Sequence, residues 1–515
     1  MSRRDTETLT ASDNYTYSID LSVSWTNETA ILNRISKDPA PSLNTEALWL
    51  DENDETFYAY GGCLSSALTY TLLPAAPPNE LWQFTPSGKS GSWSTVQISP
   101  VSNFSILSRT SSATYGGGNG LGFALGGLIN DKCDSDLLYE EEIEGEYRFN
   151  PPGMVVYNDT SEIWYNVSAE AISYYGTAVN GAAQFVPAFG PEGLLFLLGG
   201  RAAYAGEWST YFVFDDIPIY EPVSQRWLTQ KTSGDIPSPV ENPCAVGVDG
   251  DDGTYEIFLY GGLAGTDIPN TVEMGAVYVL SLPSFHWQKQ SRRPSHGRYR
   301  ASCNIAGSGT RQMVVYGGQV VLPKFTALAN DRSAADIYAA VDPWPQALGV
   351  FDLSAMEWSS SFDPNADPYI TPAKVKAHIA ANGPYPPSWS DSTVESWFLE
   401  KRTTSAPQPT ESGKPDSDST NTGAIAGGVV GGVAVLVIIG LAIWFLRRKR
   451  RRDQNNMSPE SQRAELEYHH PPQEVSAAEK RYDPVEMDNG ARSELDGGWY
   501  GHEVRETIGP PIRRS

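Results

Sequence analysis

Residues 301–318 read ASCNIAGSGTRQMVVYGG. A strand, a turn at Gly307-Ser308-Gly309 and a β-branched strand over 313–316 run in order and close on the pair Gly317-Gly318. Beyond an intervening loop, Val350-Phe351-Asp352 reads as a third strand. A turn at Leu353-Ser354-Ala355 then leads to a fourth strand that carries Trp358, seven residues after Phe351. Four antiparallel strands in this order make one blade of a β-propeller.

The same pattern recurs along the chain. Glycine pairs end apolar strands at Gly61-Gly62, Gly126-Gly127, Gly199-Gly200, Gly261-Gly262 and Gly317-Gly318, and the tryptophans that follow them are Trp93, Trp164, Trp227, Trp287 and Trp358. Turns between first and second strands are expected at residues 51–55, 117–120, 190–193 and 249–253. Third strands are expected at Phe84, Val156-Tyr157, Ile219-Tyr220 and Val279-Leu280, and Tyr157, Tyr220 and Leu280 each precede their tryptophan by seven. Radial sheets crowd toward their common axis, where a residue without Cβ allows close backbone approach. The tryptophan supplies apolar area for packing between neighbouring sheets. Trp25 has no glycine pair before it, so one repeat lacks its first half.

The net charge of −25 resides entirely in the first 446 residues, because the tail from Arg447 carries 13 basic and 13 acidic residues. Such a surface repels phosphate, which argues against a nucleic-acid partner for the folded part. Residues 423–446 (GAIAGGVVGGVAVLVIIGLAIWFL) hold no charge over 24 positions, long enough to cross the roughly 30 Å hydrocarbon core. Six basic residues follow at 447–452, which predicts a single-pass membrane protein with its amino-terminal domain outside the cell and its tail in the cytoplasm. Five sequons, at Asn14, Asn27, Asn103, Asn158 and Asn166, and four cysteines, all ahead of the span, fit an oxidising extracellular setting. The sixth sequon, Asn456, falls on the cytoplasmic side. The start, MSRRDTETLTASDNYT, has no apolar leader. Together with the half-repeat at Trp25, this leads to the expectation of a further amino-terminal segment that carries a leader and the first glycine-pair strand.

On these residues the chain resembles a fungal kelch-repeat single-pass membrane protein with a galactose-oxidase-like propeller. The resemblance covers about residues 14–361, where VYVLSLPSFHW (277–287) is similar to the family's strands and YSIDLSVSW (17–25) to the third-and-fourth-strand hairpin of its first blade. It implies an all-β, six-bladed kelch-type propeller whose first blade is incomplete, then a transmembrane helix and a disordered tail. Tryptophan intervals of 60 to 71 residues exceed the roughly 50 of a simple kelch unit, and the excess is expected as loops on one face. The domains expected are the propeller (1–361), an extension (362–401) with a short helix at TPAKVKAHIAANG (371–383), a Ser/Thr/Pro stalk (402–422), the span (423–446) and the tail (447–515). The missing inner strands of the Trp25 blade are expected from the amino-terminal side rather than from residues after Trp358.

Cys63 with Cys133, and Cys244 with Cys303, occupy comparable positions in adjacent blades. Of the three possible connectivities these pairings are the ones expected. Copper radical chemistry would need two histidines, two tyrosines and a free cysteine, and the folded part offers only His286, His296 and His378. The acidic run 140–146 reads as a solvated loop, and residues 249–253 as a hairpin turn rather than a calcium loop. No catalytic, cofactor or metal residue is assigned. Glycines 423, 427, 428, 431 and 432 would let two membrane helices approach, so a homodimer is an expected assembly. The function expected is a non-enzymatic binding module whose loops take a protein or cell-wall polysaccharide. The alternatives are a secretory-pathway enzyme acting at the propeller face and a receptor signalling through its tail.

Overall fold

The seven-residue spacing that ends each repeat is a cross-strand pair. Tyr157 faces Trp164, Tyr220 faces Trp227, Leu280 faces Trp287 and Phe351 faces Trp358; where the spacing is nine, Phe84 still faces Trp93. Each hairpin therefore sets its tryptophan beside a large third-strand side chain, and the ring centroids of Tyr157 and Trp164 lie 4.7 Å apart.

These hairpins belong to a computed structural model that describes residues 14–51, 56–64, 80–96, 109–130, 133, 142–143, 146–204, 207–264, 275–290, 297–307, 309–321 and 342–399. The chain divides into units 1–406 and 407–515, and every described residue lies in the first. The stalk, span and tail expected from the sequence fall outside the described residues. Among the described residues no helix is long and apolar enough to cross a membrane.

The chain opens with β1 (Tyr15–Ile19), β2 (Trp25–Thr26) and β3 (Leu32–Ser36). Blade 1 is β4 (Ala47–Asp51), β5 (Thr56–Tyr60), β6 (Leu81–Ser87) and β7 (Ser90–Thr95). Blade 2 starts with β8 (Thr114–Gly118) and β9 (Leu121–Leu125), detours through a small sheet of β10 (Ile129–Asn130), β11 (Glu142–Ile143) and β12 (Glu146–Phe149), and ends with β13 (Met154–Asn158) and β14 (Ile163–Val167). Blade 3 pairs β15 (Ala182–Val186) with β16 (Leu194–Leu198), then inserts the ribbon β17 (Arg201–Tyr204) and β18 (Glu207–Tyr211) before β19 (Asp216–Glu221) and β20 (Arg226–Lys231). The short β21 (Ser233–Gly234) joins the outer edge of blade 4, which is β22 (Glu241–Asp249), β23 (Tyr255–Leu263), β24 (Val277–Leu282) and β25 (His286–Lys289). Blade 5 is β26 (Gly297–Ala306), β27 (Gln312–Val321), β28 (Leu348–Asp352) and β29 (Glu357–Ser359), followed by β30 (Ser361–Phe362). The first strands of consecutive blades adjoin one another, so they form the inner wall of the ring.

Six blades were expected, and the described residues hold five four-stranded blades. At the sixth position stand only two two-stranded pairs, β1 with β3 and β2 with β30. The hairpin expected over residues 17–25 does not form, because Ser18, seven residues before Trp25, pairs with Asn33 instead. Trp25 pairs across to Phe362 and stacks on it at 5.1 Å, in a cluster with Ala306, Leu348 and Val350 of blade 5. Chain after Trp358 thus supplies a partner for the Trp25 strand, where the amino-terminal side was expected to supply both inner strands. These strands pack on both neighbours: Ile35 of β3 lies with Ala59, Phe84 and Trp93 of blade 1, and Tyr17 of β1 meets Tyr316 of blade 5 with ring centroids 6.4 Å apart.

Past the ring, the helix expected near 371–383 forms as α1 (Ala373–Asn382) and stops at Gly383, whose φ of +87° suits glycine. A second helix, α2 (Ser392–Leu399), was not anticipated from the sequence. It buries Val394, Trp397 and Phe398, with the Phe398 ring 4.8 Å from Phe189 and 5.0 Å from Phe285.

Candidate functional site

Antiparallel order within each blade separates the connections into two sets. Turns joining first to second and third to fourth strands lie at one end of the ring. The glycine pairs, the long second-to-third connections and the links between blades lie at the other. Segment 363–399 occupies the short-turn end. The Tyr369 N–H donates to the Gly309 carbonyl at 2.8 Å, Lys376 pairs with Asp251 at 2.7 Å, and the Gly190 N–H donates to the Trp397 carbonyl at 2.8 Å, which ties the segment to turns of blades 5, 4 and 3.

Two titratable sites, one buried and one half-buried, anchor it there. Glu256 of β23 is fully buried beneath the segment and accepts hydrogen bonds from Ser281 Oγ (3.3 Å), Tyr369 OH (3.2 Å) and Thr371 Oγ1 (3.5 Å). Burial pushes its carboxyl up to about 7, against the pull of hydrogen bonds from Thr254, Tyr369 and Ser281. His286 of β25 stacks on His378 of α1, with centroids 3.5 Å apart and planes within 7°. Burial lowers both imidazoles, His286 further through the facing His378, while Asp235 pulls His286 the other way; Ser233 Oγ lies 2.9 Å from its Nδ1. Of the three histidines weighed for copper, the fold brings these two together, and His296 lies outside the described residues.

The glycine-pair end is built by backbone crowding. A Cβ on Gly61, Gly126, Gly199 or Gly261 would fall within 3 Å of the backbone of Thr110, Ala178, Val240 or Arg298, each at the entry to the next blade. Where these junctions leave room, the N–H of the second glycine reaches across: Gly62 to the Thr110 carbonyl at 2.9 Å, Gly127 to Ala178 at 2.9 Å and Gly200 to Val240 at 2.8 Å. Ion pairs reinforce the same end. Arg109 at the entry to blade 2 meets Glu80 of blade 1 at 2.8 Å, Arg201 of blade 3 meets Glu241 of blade 4 at 3.4 Å, and Lys37 meets Glu46 at 2.6 Å. The side chain of Arg298, fully buried, pairs with Asp342 and lies over Trp344. Burial holds the Glu46 carboxyl above the usual range while Lys37 draws it down. No local pattern marks these pairs, since their partners lie in separate strands and loops.

Both disulfides form in the expected connectivity. Cys63–Cys133 ties the second-to-third connections of blades 1 and 2, with Cα atoms 4.1 Å apart. Cys244–Cys303 ties the first strands of blades 4 and 5, with Cα atoms 5.7 Å apart. Of the sequon asparagines, Asn14 and Asn166 are exposed. Asn27 is half-buried and donates to the Leu348 carbonyl, Asn158 accepts from Ser161 in the β13–β14 turn, and Asn103 lies outside the described residues. The acidic run expected as a loop carries β11 and the start of β12. Residues 249–253 make the expected hairpin turn.

Apolar side chains are left in water at both ends: Val223, Ile370, Tyr385 and Leu399 lie at the short-turn end, and the glycine-pair end has its own set. Phe149 of β12, Val213 ahead of β19, Ile236 before β22, and Tyr174 with Tyr175 before β15 are all exposed there. Tyr174 is 87% exposed, although its turn is firmly tied: the Thr177 N–H donates to Ser173 Oγ at 3.0 Å, and the Gly176 N–H to the Ser173 carbonyl at 2.9 Å. Tyr174 and Tyr175 meet edge to face at 4.7 Å. An aromatic pair held open on an ordered turn is suited to stacking against a ligand.

No family model matches this chain. A curated kelch repeat-containing protein of Arthroderma benhamiae (strain ATCC MYA-4681 / CBS 112371) is 25% identical over 330 residues, which is 56% of this chain and 45% of that protein. The match thus spans under half of the relative's length. Five glycine-pair blades in a ring, together with this relative, support a kelch-type β-propeller.

Proposed function

We propose that the propeller is a non-enzymatic interaction module, carried outside the cell on the 423–446 span, whose glycine-pair face binds a protein or a cell-wall carbohydrate. The observation that carries this reading is the division of the two ends. Segment 363–399 is packed over the short-turn end, whereas the other end keeps Phe149, Tyr174, Tyr175, Val213 and Ile236 in water. Aromatic side chains pre-fixed in this way lose little entropy on binding.

Purified protein applied to arrays of cell-surface proteins and wall polysaccharides tests it. Binding is expected to fall at least tenfold in the Tyr174→Ala/Tyr175→Ala double variant and to persist in Tyr385→Ala, an exposed tyrosine of the segment at the opposite end. Turnover in an oxidase or glycosidase screen would replace the binding reading with an enzymatic one.

A further inference from the structure

In three places among the described residues a cation is held between a carboxylate and an aromatic ring. Lys37 Nζ lies 2.6 Å from Glu46 and 5.5 Å from the Trp93 ring centroid. Arg201 meets Glu241 at 3.4 Å while its guanidinium stands 4.3 Å from the Tyr211 centroid. Arg298 pairs with Asp342 and lies 4.6 Å from the Trp344 centroid. In each case the negative face of the ring and the carboxylate draw the same positive charge.

One turn at the glycine-pair end carries the same two partners without the cation. Glu170 and Tyr174 are both exposed, and the turn between them is closed by the Ile172 N–H donating to the Ala169 carbonyl at 3.1 Å. The Glu170 stem passes beside Gly176, where a Cβ would lie 3.6 Å from its Cγ. Tyr175 meets Tyr174 edge to face at 4.7 Å, which steadies the ring. Among the described residues no ion pair joins Glu170 and no cation lies over Tyr174. The surrounding sequence supplies none: residues 149–200 hold the acids Asp159, Glu162, Glu170 and Glu192 and not one Lys, Arg or His.

We infer, on the reading of the glycine-pair end as the binding face, that Glu170 and Tyr174 together receive a Lys or Arg side chain of a partner protein. Charge complementarity selects the cation. An acidic polysaccharide or a phosphorylated ligand would meet Glu170 with no base in 149–200 to offset it. The apolar side chains exposed at the same end, Phe149, Val213 and Ile236, select a protein over a sugar. Apolar residues flanking the base can cover them, whereas a polyhydroxyl ligand would lose its own water there without replacing it.

Full-length protein in detergent micelles is titrated with fluorescent peptides of one leucine- and serine-bearing sequence that carry Arg, Lys, Gln or Glu at the central position, and in parallel with oligomers of glucosamine and of glucose. The Arg and Lys peptides are expected to bind about tenfold tighter than the Gln peptide. Glu170→Gln and Tyr174→Ala are each expected to cut that preference about threefold, and Tyr174→Phe to keep it, because the ring face remains. Glu162→Gln removes the same charge from the β13–β14 turn at the other end of blade 2 and is expected to change nothing. Equal binding of the Arg and Gln peptides, equal losses in Glu162→Gln and Glu170→Gln, no peptide binding, or a preference for glucosamine oligomers overturns the inference. A protein ligand lost in Tyr174→Ala/Tyr175→Ala but held unchanged by Glu170→Gln overturns the inference and leaves the binding face standing; a ligand held by both variants overturns both.

Discussion

At the scale of the residue, a glycine pair does two things, and the positions separate them. Every first glycine sits in the left-handed region, where a side chain is strained by about 1–3 kcal/mol. At Gly126 a Cβ also runs into the Ala178 backbone, which cannot retreat without moving blade 3, whereas at Gly317 a Cβ meets no described residue within 4 Å. Gly126→Ala is therefore expected to destabilise by more than Gly317→Ala in urea unfolding. Equal losses would mean that backbone conformation alone requires the glycines.

At the scale of the element, the docking of α1 is set by two titrations of opposite sign. The His286–His378 pair has lowered pKa values in the folded state, so its contribution is full above the unfolded value of 6.5 and is lost as pH falls through the folded values. Glu256 is raised from 4.5 to about 7, so its contribution is full below 4.5 and is lost as pH rises through about 7. In the native protein the two partly cancel. His378→Gln is expected to leave a docking stability that falls from pH 5 to pH 8. Glu256→Gln is expected to leave one that rises from pH 5 to pH 7. Hydrogen exchange of the α1 amides reads both, and parallel slopes in the two variants would refute the assignment.

At the scale of the whole molecule, the first strand of blade 5 adjoins, among the first strands of the described blades, that of blade 4, and Cys244–Cys303 fastens the two together. Reduction is expected to raise hydrogen exchange in β26 before it does so in β15, which is flanked by first strands on both sides. Simultaneous loosening of both strands would show that the ring responds as one unit. Much of this plan was legible beforehand. Glycine pairs, tryptophans at a spacing of seven and cysteines at matching repeat positions are local signals repeated along the chain, and repetition marks a radial array. The sequence alone thus determined the blade pattern, the paired strands within each blade and the cysteines available to staple them, because short-range strand pairing and steric demand are written in neighbouring residues. Only the tertiary structure decided that five blades are complete among the described residues, that Trp25 is paired by Ser361–Phe362, and that α2 and Glu256 bind the carboxyl segment to one end. Each of these depends on contacts between residues tens to hundreds of positions apart, whose free energy no local pattern carries.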